Sequence, residues 1–473
     1  MIPPEFSAPL STQDSIPIRK VFARIVAQAG PAVFSNVLTF TTELINTVYI
    51  GQHGSKEQLA AVGLGNMMQN VFGLSIAIGL AGAIDTLSSQ ANGAGEKRLA
   101  CIYMQRARLI LTLQLVWMWP LLACSDVWLT AIGQDPTVAR LSAEYNRATA
   151  PFLIVMFQNL CMRRLLTAFL RPRGNMVISC ITTLLHIGWV LLFVGHLDLG
   201  NMGLGLANGM SWTTRFVLLT CHWWRIAPGL GLQRRWILAF QADAFRSWQE
   251  FLKIGMPALL QISSEWWFWE ICSLVVGYLG PTALAAHVAV IQFISLPFMV
   301  PIGIGTGAST LVGNAIGAGL PRLAKRTGMM SVVLTLLAWI LISLVTLVFS
   351  KQITATLSND AEVQGIMRVL LLIYMAQGFV DASQNTMGGI LRGLGEMVIP
   401  SMTYLVSFYL VMLPLAIIFA FPCKLGVKGV WLSMGVGTGF AALVFARVLI
   451  KKDYEELVRT ARERLSREEN TTC

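Results

Sequence analysis

Charge is scarce in this chain of 473 residues: Asp, Glu, Lys and Arg together make up 12%, about half the share of an ordinary soluble domain. Apolar residues make up 55%, and mean hydropathy is +0.64. That composition excludes a soluble globular protein. Alternating short strands are also missing. The apolar runs are continuous over about 20 residues or more, which excludes a membrane barrel and leaves spanning helices. The eight cysteines are scattered, with no C-x-x-C pair and no Cys/His cluster at metal spacing. A disulfide framework and a metal centre are therefore excluded, and no cofactor is expected. The five histidines are isolated and read as structural. No catalytic His/Asp or Ser/His set stands out, so an enzyme is not expected. The glycine-rich stretches 91–95 and 317–319 follow no strand, so they close tight turns and do not cradle a phosphate.

What the chain does carry is a net charge of +11. In a soluble protein that would suggest nucleic acid. In a chain this apolar it marks loops facing an anionic cytoplasmic leaflet, and no nucleic-acid partner is expected. Twelve spans are predicted, at about 26–51, 59–89, 109–133, 148–170, 175–197, 202–224, 254–279, 283–314, 328–350, 364–390, 398–421 and 425–449. With both termini on one side, that side holds 24 Lys/Arg and the other 7, so both termini are cytoplasmic.

The chain also repeats itself. Residues 91–100, ANGAGEKRLA, match 315–324, AIGAGLPRLA, at seven of ten positions. Residues 170–178, LRPRGNMVI, match 391–399, LRGLGEMVI, at six of nine. Pro31 and Pro257 stand 226 apart, as do Leu199-Gly200 and Leu425-Gly426. The pairs are collinear, so a six-helix unit is used twice, as in parallel transporter repeats. The organisation expected is a tail at 1–24, an N-lobe of six helices at 25–226, a cytoplasmic linker at 227–253, a C-lobe of six helices at 254–450 and a cytoplasmic tail at 451–473. The fold class is an all-α polytopic membrane protein with two pseudo-symmetric lobes.

In helices this apolar the ionisable residues carry the information. Glu265 lies about 16 Å from the cytoplasmic end of its span at 1.5 Å per residue, near the middle of a ~30 Å hydrocarbon core. Asp381 lies at similar depth in span ten. Two carboxylates at one level can share a proton, and intramembrane carboxylates are functional by default. Glu270 is about 140° around the helix from Glu265 and cannot face the same spot. Trp266, Trp267 and Trp269 beside it can stack on a substrate or simply pack. Glu43 and Asn46 share one face of span one, and Asn70 is an amide at mid-depth in span two. Asp85 reads as a cap or loop organiser near the cytoplasmic end, and Arg163 and Arg164 as arginines that snorkel to the interface. Arg215 lies deeper and has no evident role.

These residues resemble a known family. The sequence is similar to multidrug and toxic compound extrusion (MATE) transporters of the eukaryotic kind from about residue 25 to 450. Its marker is E-W-W-x-x-E at Glu265–Glu270, joined by AIDTLSSQANGAG at 83–95, MVPIGIGTGASTLVGNAIGAG at 299–319, SNDAEV at 358–363 and FVDASQNTMGGILRGLG at 379–395. The resemblance implies two six-helix lobes forming a V and cation-coupled antiport of drugs or metabolites. It assigns ion coupling to Glu265 first, then Asp381 and Glu270, and a polar site to Asn70. Asn46 stands where bacterial members often carry an aspartate. Gln292 stands where animal organic-cation exporters carry a glutamate, which leaves one negative charge fewer.

The expectation is a proton-driven antiporter exporting small organic compounds by alternating access, with Glu265, Asp381 and Glu270 in ion coupling. Trp266, Gln292, Asn70, Glu43 and Asn46 line the substrate cleft. Neutral-to-basic compounds are the first substrates expected. The alternatives are sodium coupling, organic-acid export or a lipid-linked precursor flippase. A monomer in a plasma, vacuolar or other organellar membrane is expected.

Overall fold

A computed structural model describes the chain from Ile16 to Thr472, with side chains to Glu468; the first 15 residues of the predicted N-terminal tail lie outside the described residues. The described chain is helical. Its main helices are α1 (Ile18–His53), α2 (Lys56–Ala94), α3 (Lys97–Ala123), α4 (Pro136–Thr149), α5 (Leu153–Ala168), α6 (Pro172–His196) and α7 (Gly200–Ile226). They continue as α8 (Trp248–Gly277), α9 (Pro281–Gly317), α10 (Pro321–Val348), α11 (Ala361–Leu394), α12 (Val398–Ala420), α13 (Val427–Lys451) and α14 (Tyr454–Thr472).

Among the described residues nine helices are long and apolar enough to cross a membrane: α1, α2, α3, α6, α9, α10, α11, α12 and α13. The other three predicted spans fall on α4–α5, α7 and α8. Polar residues dilute them, including Arg163, Arg164, Asn208, Arg215, Glu265 and Glu270.

Local chemistry sets the helix ends. Proline occupies the first turn of α4, α6, α9 and α10, where its missing N–H costs nothing. Asp135 caps α4 through the amides of Thr137 and Val138, and Asp360 caps α11 through those of Glu362 and Val363 in the same way. The predicted turns at 91–95 and 317–319 are present: Gly95 (φ 93°) and Gly319 (φ 76°) adopt the left-handed conformation there.

The repeat is written in the backbone as well as in the sequence. Asp198 (φ 50°) precedes α7 and Gly200 (φ 52°) opens it, as Lys424 (φ 54°) and Gly426 (φ 57°) lead into α13. Gly203 and Gly429 then sit hard against the backbone of Phe193 and Phe419, respectively. Helices α6 and α12 each contain a π-helical turn, at Leu191–His196 and Val406–Met412.

The chain divides into two compact units. The first holds Phe34–Leu259 and the chain end from Arg464; the second holds the described residues up to Val33 and Leu260–Glu463. The divisions fall inside α1 and α8, just after Pro31 and Pro257. Within the first unit, Gly79 of α2 meets the backbone of Leu259, and within the second, Gly303 of α9 meets that of Val33.

Helix α3 begins two residues after Gly95, earlier than the span predicted at 109–133, because its basic start is satisfied by protein. Lys97 donates to the Leu230 carbonyl (2.9 Å), Arg98 pairs with Asp243 (2.5 Å), and Arg108 donates to the Ile237 carbonyl (3.0 Å). These bonds hold the linker. Arg106, fully buried, pairs with Glu468 of α14 at 2.9 Å.

Candidate functional site

In the second unit α8 and α11 bring Glu265 and Asp381 close enough for their charges to interact, and Arg392 lies within electrostatic reach of Glu265. Asp381 is 8% exposed. Its two carboxylate oxygens accept from Tyr374 Oη (3.3 Å) and Gln384 Nε2 (3.2 Å), both on its own helix. Gln261 lies one turn before Glu265 on α8, and Tyr404 of α12 is within hydrogen-bonding range of both Gln261 and Gln384. The amide oxygens of Gln261 and Gln384 are buried without a hydrogen-bond donor. The cluster therefore holds two carboxylates beside two amide oxygens that lack a donor, an arrangement suited to taking up a proton.

An aromatic group flanks it. Tyr374 packs edge-on against Trp339 (5.7 Å between centroids) and Trp431 (5.8 Å), and Trp269 against Trp431 (6.4 Å). The Trp431 indole donates to His287 Nδ1 at 3.0 Å. In the marker, Trp269 makes this ring contact, and Trp267 is 42% exposed. Glu270 and Trp266 are half-buried and Gln292 is exposed.

The first unit holds a neutral polar chain. Ser211 Oγ bonds His186 Nδ1 (2.8 Å), and His186 Nε2 bonds Asn46 Oδ1 (2.9 Å). Asn46 donates to Asn208 (2.9 Å), Asn208 to Tyr145 Oη (2.9 Å), and Tyr145 to Asn66 (2.6 Å). Five helices are tied by this chain, and each member satisfies the next. Glu43 is near enough to Tyr145 for electrostatic interaction, yet its side chain is exposed on the bare polypeptide while Asn46 is 1% exposed. The shared face predicted for Glu43 and Asn46 thus divides into an open and a closed position. Asn70 opens a π-helical turn, Asn70–Leu74, and is half-buried. Gln114 of α3 satisfies that turn by donating to the Gly73 carbonyl at 2.9 Å; such turns recur at functional sites.

Asp85 corrects its sequence reading. It is not a cap. It is 2% exposed inside α2 and forms an ion pair with Arg164 of α5, which also donates to the Ile78 carbonyl. Arg164 therefore turns inward and does not snorkel, because a carboxylate on the neighbouring helix offsets its charge. His186, Asn208, Tyr145, Tyr374 and Tyr404 were not singled out from sequence. Their signal was available only as polar side chains within apolar runs.

The MatE family model matches the chain twice, at residues 31–192 and 257–418. The chain belongs to the MatE family. The two matches begin at Pro31 and Pro257, the pair that defines the repeat. MatE proteins are transporters, so this is an integral membrane transporter and not an enzyme. The chain is 29% identical to multidrug and toxin extrusion protein 1 of Homo sapiens over 447 residues, covering 94% of this chain and 77% of that protein. It is 27% identical to multidrug and toxin extrusion protein 2 of Mus musculus, covering 94% and 77%. Among solved structures it shares the fold of the eukaryotic MATE transporter AtDTX14, with a TM-score of 0.88 at 23% identity over 94% of this chain and 99% of that one. Vibrio cholerae VcmN in its bent form aligns with a TM-score of 0.81 at 18% identity, over 94% and 98%.

Proposed function

We propose that this MatE transporter is a proton-coupled antiporter that exports small organic compounds by alternating access, with the proton carried at Glu265 and Asp381. One observation carries this reading: the two carboxylates share a buried site whose amide acceptors lack donors. A proton on either carboxylate supplies a donor to that site and removes a buried charge, so protonation and helix packing are linked there. Glu270 is an outer member of the acidic set. Trp266, Gln292, Asn70, Glu43 and Asn46 remain the proposed substrate contacts. Lobes of residues 25–226 and 254–450 act as the two moving halves, both termini face the cytoplasm, and a plasma or organellar membrane holds the protein as a monomer.

Counterflow in proteoliposomes under an imposed pH gradient tests this. Wild type is expected to accumulate substrate in response to the gradient, and Glu265→Gln to lose at least about tenfold of that response, the loss of one charge-assisted interaction. Uptake that follows sodium and ignores pH would replace the proton with sodium. A fully coupled Glu265→Gln variant would remove Glu265 from the mechanism.

A further inference from the structure

The end of α7 and the loop that follows it collect positive charge with no acid to offset it. Between Tyr145 and Ala242 the single acidic residue is Asp198, at the other end of α7. Arg225, Arg234 and Arg235 stand at the near end, all exposed. Gly174 of α6 packs directly on the ring of His222 in α7, which brings the exposed Arg173 to the same end. Among the described residues none of these four arginines takes part in an ion pair.

Two adjacent tryptophans mark where this end lies. Trp223 is fully buried, and its indole donates to the Met162 carbonyl at 3.3 Å. Trp224 is 51% exposed, and its indole N–H has no acceptor among the described residues. Trp224 lies one turn after the exposed Cys221 and two turns after the exposed Val217, so the three form one outward stripe of α7. On a helix that crosses a membrane an outward apolar stripe faces lipid, and a tryptophan at its end sits at headgroup level. Arg234 is built onto that tryptophan. Its guanidinium lies over the Trp224 ring, 4.4 Å from the centroid, and its Nε donates to the Trp224 carbonyl at 3.1 Å. That bond satisfies a carbonyl at the helix end and holds the arginine in place. It leaves both Nη nitrogens of Arg234 without a bond to the described protein.

We infer that Arg234, Arg225 and Arg173, grouped around Trp224, form a site for the phosphate headgroup of an anionic phospholipid. The open Nη pair of Arg234 presents a fork to the phosphate oxygens, and Arg225 and Arg173 add charge beside it. Trp224 and the stripe behind it lie along the acyl chains. The continuity of charge with a lipid-facing stripe selects a lipid. A soluble anion gains nothing from the apolar face, and a protein partner would have to enter the bilayer to cover it. The inference rests on α7 crossing the membrane, as the transporter reading above has it, and not on which ion drives transport.

Native mass spectrometry of the purified full-length protein tests this, with phosphatidylglycerol, phosphatidylcholine and glycerophosphate as probes. No gradient or substrate is applied, so a failure of proton coupling would leave the result intact. Phosphatidylglycerol is expected to bind at least about tenfold more tightly than phosphatidylcholine. Arg234→Gln and Arg225→Gln should each lose about fivefold of that preference, the worth of one basic residue near a charged membrane surface. Trp224→Ala should lose a similar factor, and Trp224→Phe should retain part of it. Arg140→Gln, at an exposed arginine of α4, controls for net charge and should keep the full preference. Elution and helical circular dichroism check the fold of each variant. If Arg234→Gln does not fold, Arg225→Gln decides, because its guanidinium makes no bond within the described protein to lose. Equal binding of the two lipids, glycerophosphate binding as tight as phosphatidylglycerol, or an unchanged preference in a folded Arg225→Gln would each overturn the assignment. An equal loss in Arg140→Gln would overturn it too.

Discussion

The two units are copies of one six-helix pattern, yet their apolar interiors carry opposite charge. The first holds Arg163, Arg164 and Arg215 against Asp85; the second holds Glu265, Glu270 and Asp381. The repeat shows that these sets replaced other residues. Asp85 aligns with Ser309 and Arg215 with Ala441, while Glu265 aligns near Thr39. Close packing explains how the substitution was accommodated. In the second unit α9 and α11 make the most extensive helix contact. There a Cβ on Gly389 would lie 2.4 Å from the Gly305 carbonyl oxygen, and one on Gly393 2.4 Å from that of Ser309. Where the first unit sets an ion pair between α2 and α5, the second brings bare backbones together. The same scaffold thus supports a charged joint in one copy and a tight, uncharged one in the other. Duplication conserved the path of the chain and left the chemistry free to diverge.

The largest effect should come from breaking the charged joint. Asp85→Asn leaves the mostly buried Arg164 with the Ile78 carbonyl, which should cost about 3 kcal/mol, the low end of the penalty for stranding one member of a buried pair. Thermal unfolding in detergent reads this directly, and an unchanged midpoint would mean the pair contributes no net stability. The tight joint comes next. Gly389→Ala should cost about 1–3 kcal/mol by overpacking. The control is Gly439→Ala, where no atom lies within 4 Å of the added carbon; it should leave the protein at least as stable. Equal behaviour of the two variants would count against the close approach of α9 and α11.

The smallest effect is expected at the surface. Arg147 donates to Asp126 at 2.7 Å, and this bond holds the Asp126 carboxyl below its ordinary range. Arg147→Ala should cost less than about 1 kcal/mol. The contribution is present at neutral pH, where the carboxylate is charged in both states. It is lost as pH falls below about 4, through the lowered folded-state value. Stability curves of wild type and variant should therefore converge in acid; divergence there would reverse the sign of the interaction.

Much of this was legible in the chain itself. Glu265 and Asp381 stood out because a carboxylate in a long apolar run has few tolerable surroundings, and helix depth alone put them at one level. The duplicated turns could be read because their conformations favour glycine and their neighbours recur. Asp85 was misread because nine residues of helix follow it before Gly95, and its partner Arg164 is 79 positions away. His186 was classed as an isolated histidine, yet it links Ser211 to Asn46 across three helices. Side chains this far apart have no local signature; their partnership exists only once helices are packed.

By itself the sequence determined that the chain lies in a membrane as helices, that six of them form a unit used twice, and that the second copy carries the acidic residues. Those conclusions follow from composition, depth and recurrence, which are properties of the linear chain. Tertiary structure alone decided which charges are answered and which are not. Asp85 could have satisfied Arg163, Arg164 or a helix end. Packing of α2 against α5 selected Arg164 as its ion-pair partner. In a low-dielectric interior a few ångströms of helix position decide which of several neighbouring charges is paired.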